Sequence, residues 1–126
     1  MDIIFIDTDL LIDYFRKKDK EETRLFHLAA QFEIAVSSIV AYEFLRGQKG
    51  NKIDDFLNQF FTQAAIFSFD FACAQKAAEI WSSTKPTGKS IEPEDLLIAA
   101  TAITWDYPLA TNNRKHVEHI PGIRLL

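Results

Sequence analysis

Four separated segments of this chain carry side chains able to act together on a phosphate. Asp7 ends the apolar run Ile3-Ile4-Phe5-Ile6, and Asp9 follows two residues later. Glu43 lies one to two turns beyond Ser37-Ser38, which close the run Ile34-Ala35-Val36. Asp95 stands just after Pro93, and Thr111-Asn112-Asn113 ends the run Pro108-Leu109-Ala110. Carboxylates crowded at one place repel, and some protonate unless a cation joins them. The donors are all oxygens. Cys73 is the only cysteine, and His116 and His119 lack a third ligand and read as surface residues. Such a set favours Mg²⁺ or Mn²⁺ over zinc. An ion of this kind activates water and neutralises charge on a phosphate undergoing in-line attack.

Each acid also has a purely structural explanation. Asp7 can be an ordinary strand-end acid, and Asp9 a helix cap that braces it. Asp95 can simply complement the positive end of its helix, and Glu43 can pair with Arg46 three residues on. Two patterns weigh against this. Leu96 to Ile103 is apolar nearly all round, which marks a buried helix whose first turn is not freely solvated. Glu43 shares a face with Val40, Phe44 and Gly47, where a carboxylate is expensive to bury without a cation or hydrogen bonds.

Short β-branched runs alternate with helical patterns along the whole chain. Ile3–Ile6, Ile34–Val36, Ala65–Phe69 and Pro108–Thr111 read as strands, with a short fifth at Ile123–Leu126. Helices are predicted from a Thr8 or Asp9 cap to about Lys18, over 21–32, from a Ser37 or Ser38 cap to Gly47, around Ile53–Phe61, over 71–81, and from Pro93 to about Thr104. Lys85–Ile91 is the clear loop. The expected fold is an α/β three-layer sandwich, one domain over residues 1–126, with a mostly parallel sheet of four to five strands. Ligands of such sheets bind beyond the carboxyl ends of the strands, where the four segments would meet.

Composition narrows the class. The chain has 126 residues, 48% hydrophobic and 25% charged, so it can bury a core. No apolar stretch is long enough to span a bilayer. Met1-Asp2 leads directly into an apolar run without the basic start of a signal peptide, so a cytoplasmic protein without membrane attachment is expected. Neither a Gly-rich phosphate loop nor a G-x-S-x-G elbow is present. The net charge of −4 leaves no broad positive footprint for nucleic acid. A metal at the rim would relieve that difficulty. The basic residues Arg16, Lys17, Lys18, Arg46, Arg114 and Lys115 flank the same segments.

The blocks Ile6-Asp7-Thr8-Asp9-Leu10-Leu11-Ile12-Asp13, Ser37 to Gly47, Pro93 to Ala102 and Leu109 to His116 together resemble the PIN-domain ribonucleases. The resemblance is closest to VapC-type toxins of toxin–antitoxin modules, and it runs in order over essentially the whole chain. It implies a metal-dependent endoribonuclease, dimeric, and restrained by a small VapB-type antitoxin. Asp7, Glu43 and Asp95 match the family's principal acids and would hold Mg²⁺ or Mn²⁺. Asn113 would join them in catalysis, supported by Asp9, Ser37, Thr111 and Asn112, with Arg46, Arg114 and Lys115 facing RNA. Many relatives carry a fourth acid at or after the Thr-Asn segment. This chain has Asn112, Asn113 and then His116, which puts a second metal in doubt.

Two other chemistries fit fragments of the pattern. Asp7-Thr8-Asp9 suits a haloacid-dehalogenase-like phosphatase, and Asp70 with Lys115 suits a phospho-acceptor receiver module. Eleven phenylalanines, six of them Phe56, Phe60, Phe61, Phe67, Phe69 and Phe71, exceed what a small core needs. Some are expected at the surface as interfaces for self-association and antitoxin capture.

Overall fold

The structure, a computed structural model, describes every residue except Asn51. Among the described residues four parallel strands, β1 (Ile3–Ile6), β2 (Glu33–Ser37), β3 (Ala65–Phe67) and β4 (Leu109–Ala110), form a sheet in the order β3-β2-β1-β4. The chain steps outward from β1 to β3 and then returns to β1's other side. A topological switch point therefore opens between the ends of β1 and β4. Ile4, Phe5, Ile6, Ala35 and Val36 are buried, as strands covered on both faces require.

The described residues also form seven α-helices that flank the sheet: α1 (Thr8–Arg16), α2 (Arg24–Ala29), α3 (Ser38–Gly47), α4 (Lys52–Phe60), α5 (Phe71–Thr84), α6 (Pro93–Trp105) and α7 (Arg114–Val117). Right-handed crossovers place α1–α4 on one face and α5–α6 on the other. The first layer packs Leu10, Leu11, Leu25, Leu28, Val40 and Phe44 on the sheet. The second joins Ala77, Ile80, Leu96, Ala99 and Ala100 to Val117 and Ile120. The Trp105 indole donates to the Ser68 carbonyl at 3.1 Å, bringing the end of α6 to the approach to α5, so these two helices form an antiparallel hairpin.

Three local expectations change. The helix predicted over 21–32 is interrupted. Thr23 is buried, its hydroxyl donates to the Lys20 carbonyl and accepts from the Phe26 amide, and so it ends a 3₁₀ turn at Lys20–Glu22 and caps α2. The cap of α1 is Asp7, not Thr8 or Asp9. The fifth strand shrinks to a single bridge, Leu109 with Leu125, because Pro121 and Gly122 turn the chain immediately before it.

Candidate active site

The carboxyl edge of the sheet gathers the predicted segments. Asp7 is 9% exposed and fully engaged: Oδ1 accepts the Thr8 amide at 2.8 Å and Oδ2 accepts the Thr111 hydroxyl at 2.7 Å. Thr111 also accepts the Asn113 amide at 3.0 Å. Adjacent strands β1 and β4 are thus tied at the point where both deliver their functional ends. Glu43, on the second turn of α3, accepts the Thr8 hydroxyl at 2.7 Å. Ser37 caps α3 by accepting the Val40 amide at 3.0 Å, so its hydroxyl fixes the helix that carries Glu43.

Asp95 lies in the first turn of α6, its side chain 23% exposed. Burial, then the negative charges of Asp7 and Glu43, push its pKa up to about 6, against the opposing influence of His116. Asp95 therefore feels the other two acids through space. Each carboxylate retains unused lone pairs, and all donors are hard oxygens, so the set suits a divalent cation of the Mg²⁺ or Mn²⁺ kind. Among the described residues, no three His, Cys, Asp or Glu side chains are already drawn to a common metal position. An ion would have to draw them closer.

Asp9 does not face this group as a fourth acid. Its Oδ1 accepts the Leu10 amide at 2.8 Å, and its Oδ2 accepts the Asn112 amide at 3.1 Å and the Asn113 side-chain amide at 3.2 Å. It pins the turn after β4. Burial and the neighbouring Asp7 charge raise its pKa. The Asn113 side-chain amide is likewise spent on Asp9, and Asn112 Oδ1 accepts from Arg24 at 3.1 Å.

Arg24 carried no signal in the sequence. From α2 its guanidinium donates to the Thr111 carbonyl at 3.0 Å as well as to Asn112, and reaches the Leu126 carbonyl at 3.4 Å. It stands 87 residues from Thr111, so no local spacing could have revealed it. The role of Thr8 as a donor to Glu43 was also hidden, because it reads locally as a helix start.

The basic candidates divide. Arg46 lies 3.7 Å from Glu43 and 3.6 Å from Glu94, at the rim but already paired, as the structural explanation of Glu43 anticipated. Arg114 donates to the Leu126 carbonyl at 2.8 Å, and Lys115 is exposed. His116 is exposed, yet its Nδ1 sits 3.6 Å from Asp95 Oδ2. His119 departs from the surface expectation: its Nε2 is buried without a partner among the described residues.

The family model of the PIN domain matches residues 4–121. Ribonuclease VapC1 of Methanocaldococcus jannaschii is 38% identical over 117 residues, covering 93% of this chain and 80% of the relative. Ribonuclease VapC2 of Rickettsia felis is 32% identical over 132 residues, covering 98% and 96%. The crystal structure of Rickettsia felis VapBC2 bound to a DNA fragment from its promoter superposes with a TM-score of 0.84 at 30% identity, covering 98% of this chain and 97% of that one. The chain belongs to the PIN-domain family and, within it, to the VapC ribonucleases.

That membership sets aside the two other chemistries, and the geometry agrees. Both oxygens of Asp9 are committed to backbone and amide donors, which leaves no phosphatase acid. The sheet order differs from the 2-1-3-4-5 order of receiver modules. Asp70 caps α5 through the Cys73 amide at 3.0 Å.

Proposed function

We propose that this chain is a metal-dependent endoribonuclease acting as the toxin of a toxin–antitoxin pair in the cytoplasm, folded as one domain over residues 1–126. The observation that carries the metal dependence is Asp95, whose pKa burial and the charges of Asp7 and Glu43 push up to about 6, so that its ionised form beside them is costly unless a cation joins. Asp7, Glu43 and Asp95 would hold Mg²⁺ or Mn²⁺. The ion would supply positive charge for the phosphate and lower the pKa of water. The chain's own residues do the positioning. Thr111 and the Thr8 amide orient Asp7, the Thr8 hydroxyl orients Glu43, and Asp9 with Asn113 fixes the turn that carries Thr111. Arg46, paired with Glu43 and Glu94, would be freed toward substrate phosphate if a cation drew Glu43 away.

Hydrolysis by water needs no attack from the 2′-hydroxyl, so the products should carry 5′-phosphate and 3′-hydroxyl ends. The test is cleavage of single-stranded RNA with Mg²⁺ or Mn²⁺ and with EDTA, with end-group analysis. Undiminished cleavage in EDTA, or 2′,3′-cyclic phosphate products, would refute the assignment.

The VapB-type antitoxin partner has a candidate seat. A cavity of about 710 Å³ opens at the amino ends of the strands, far from the acids, lined by Tyr14, Leu25, Phe26, Phe32, Phe56 and Phe60. Its aromatic and aliphatic lining, with Lys20, Glu33, Gln59 and Gln63 among it, suits an amphipathic segment of the antitoxin, a kind of partner that the VapBC complexes among the solved relatives support. Of the six phenylalanines named from the sequence, Phe56, Phe60, Phe61, Phe67 and Phe69 are partly buried against the core clusters, and Phe71 is 76% exposed. Phe71 is the best candidate for a homodimer contact. Sedimentation of the isolated chain at micromolar concentration, followed by cleavage assays with the adjacently encoded protein, checks both partners. A monomer that no such protein inhibits would remove the toxin assignment.

A further inference from the structure

We propose a second nucleic-acid contact, outside the acidic rim, where Trp81, Lys85 and Lys89 grip the single-stranded RNA that the rim cleaves. It rests on the ribonuclease assignment and extends it. The difficulty it resolves is electrostatic: the chain is −4 overall, its rim is acidic, and its substrate is a polyanion. Four of the five arginines already have partners within the protein. Arg24 and Arg114 are spent on carbonyls, Arg46 on Glu43 and Glu94, and Arg124 on Asp106.

The segment from Ile80 to Ile91 has two lysines and no acid. Among the described residues neither lysine pairs with a carboxylate. Trp81 is 53% exposed, and Lys85 Nζ sits 4.6 Å from its ring centre. Together with Thr84, Lys89 and Ser90 they line a groove of about 240 Å³. The Lys85 ammonium lies over the ring, so a base would take its place on the aromatic face as the lysines move to the phosphates, the combination that binds single strands.

The groove is pre-shaped. The Thr87 hydroxyl donates to the Thr84 carbonyl at 2.6 Å and accepts the Lys89 amide at 3.3 Å. Gly88 takes φ +74°, and the space where its Cβ would stand is open. The turn therefore holds Lys85 and Lys89 on one short span without obstructing the approach. The location also fits. Ile91 precedes Asp95 by four residues, a reach of at most about 15 Å even if extended. The groove therefore lies at the same end of α6 as Asp95.

The test measures binding without cleavage, so it stands or falls apart from the nuclease assignment. Labelled decauridine is titrated by fluorescence anisotropy in EDTA at several salt concentrations. In a Trp105→Phe chain, Trp81 becomes the only indole, and its emission should be quenched on binding. Trp81→Ala should weaken affinity roughly 5- to 150-fold, the range for losing one stacked base. Trp81→Phe, which keeps an aromatic face, should lose only a few-fold. Lys85→Gln and Lys89→Gln should each lower the salt slope by about 0.7, and Lys52→Gln on α4 should not. Thermal melting confirms that each variant is folded. Absence of quenching, or unchanged affinity and slope in folded Trp81 and lysine variants, would overturn the proposal. It would also be overturned if Trp81→Ala altered sedimentation but not decauridine affinity, which would make this face a contact between copies.

Discussion

Replacing Asp95 with asparagine should stabilise the metal-free protein at neutral pH while abolishing cleavage. The carboxyl's pKa stands at about 6 in the folded chain against 3.8 for the free side chain, chiefly from burial and then from the Asp7 and Glu43 charges. The folded state therefore binds this proton more tightly than the unfolded state. The stability it confers is fully present below pH 3.8, declines as pH rises, and is gone above about 6. The shift corresponds to about 3 kcal/mol at pH 7.5. That value is an upper bound, because the side chain is 23% exposed and water screens part of the repulsion. The amide would keep the shape of the carboxyl without its charge. Urea unfolding in EDTA from pH 3.5 to 8 should show the two proteins converging near pH 3.5 and the variant gaining ground as pH rises. Millimolar Mn²⁺ should reverse the order at neutral pH, since only the native protein gains RT ln(1 + [L]/Kd). A variant less stable at every pH, or a gap that does not change with pH, would show Asp95 to be an ordinary structural acid and refute the electrostatic account.

Asp7→Asn and Glu43→Gln should reduce RNA cleavage to background with folding intact by circular dichroism, while Asn113→Ala should be milder, because that amide binds Asp9 and not the acid cluster. Thr111→Val removes the buried donor to Asp7 Oδ2 and the acceptor of the Asn113 amide, which should cost about 1–3 kcal/mol in urea unfolding and lower cleavage in parallel. Arg24→Gln, which loosens the turn after β4, should raise the Mn²⁺ concentration for half-maximal cleavage by roughly tenfold; an unchanged metal requirement would show that the clamp supports only stability.

The four strands, and the gathering of Asp7, Glu43 and Asp95 at their carboxyl edge, were legible from sequence because each rests on local pattern. A four-residue apolar run marks a buried strand, and the residue that ends it in a parallel sheet must lie on the functional edge. Capping was less legible: Asp7, Thr8 and Asp9 are all capable caps, and the choice of Asp7 depends on where β1 stops pairing with β4. The break at Thr23 was obscured because residues 21–32 carry a continuous helical periodicity, and only the buried Thr23 hydroxyl, bonding on both sides, ends one turn and starts the next. Arg24 and the Thr8–Glu43 pair are products of tertiary placement, joining residues 87 and 35 positions apart. The fate of the phenylalanines was equally nonlocal. Five of the six that sequence singled out meet core clusters, while Phe71 at the start of α5 does not.

The doubly hydrogen-bonded carboxylate of Asp7 and the raised pKa of Asp95 describe two different ways of keeping an acid near other acids. Asp7 receives an amide and a hydroxyl, donors that hold it in one orientation. Asp95 has only the exposed His116 ring at 3.6 Å, and it absorbs the repulsion by holding its proton. A cation entering such a site meets one carboxylate already oriented and one whose ionisation it must drive. The binding energy for metal should consequently depend more steeply on pH than that of a site with all acids ionised, with affinity rising as pH passes through about 6. In the proposed ribonuclease this would link activity to the same proton that sets metal-free stability, so the gap between the Asp95→Asn and native stability curves and the fall in half-maximal Mn²⁺ should both level off at the same pH, about 6.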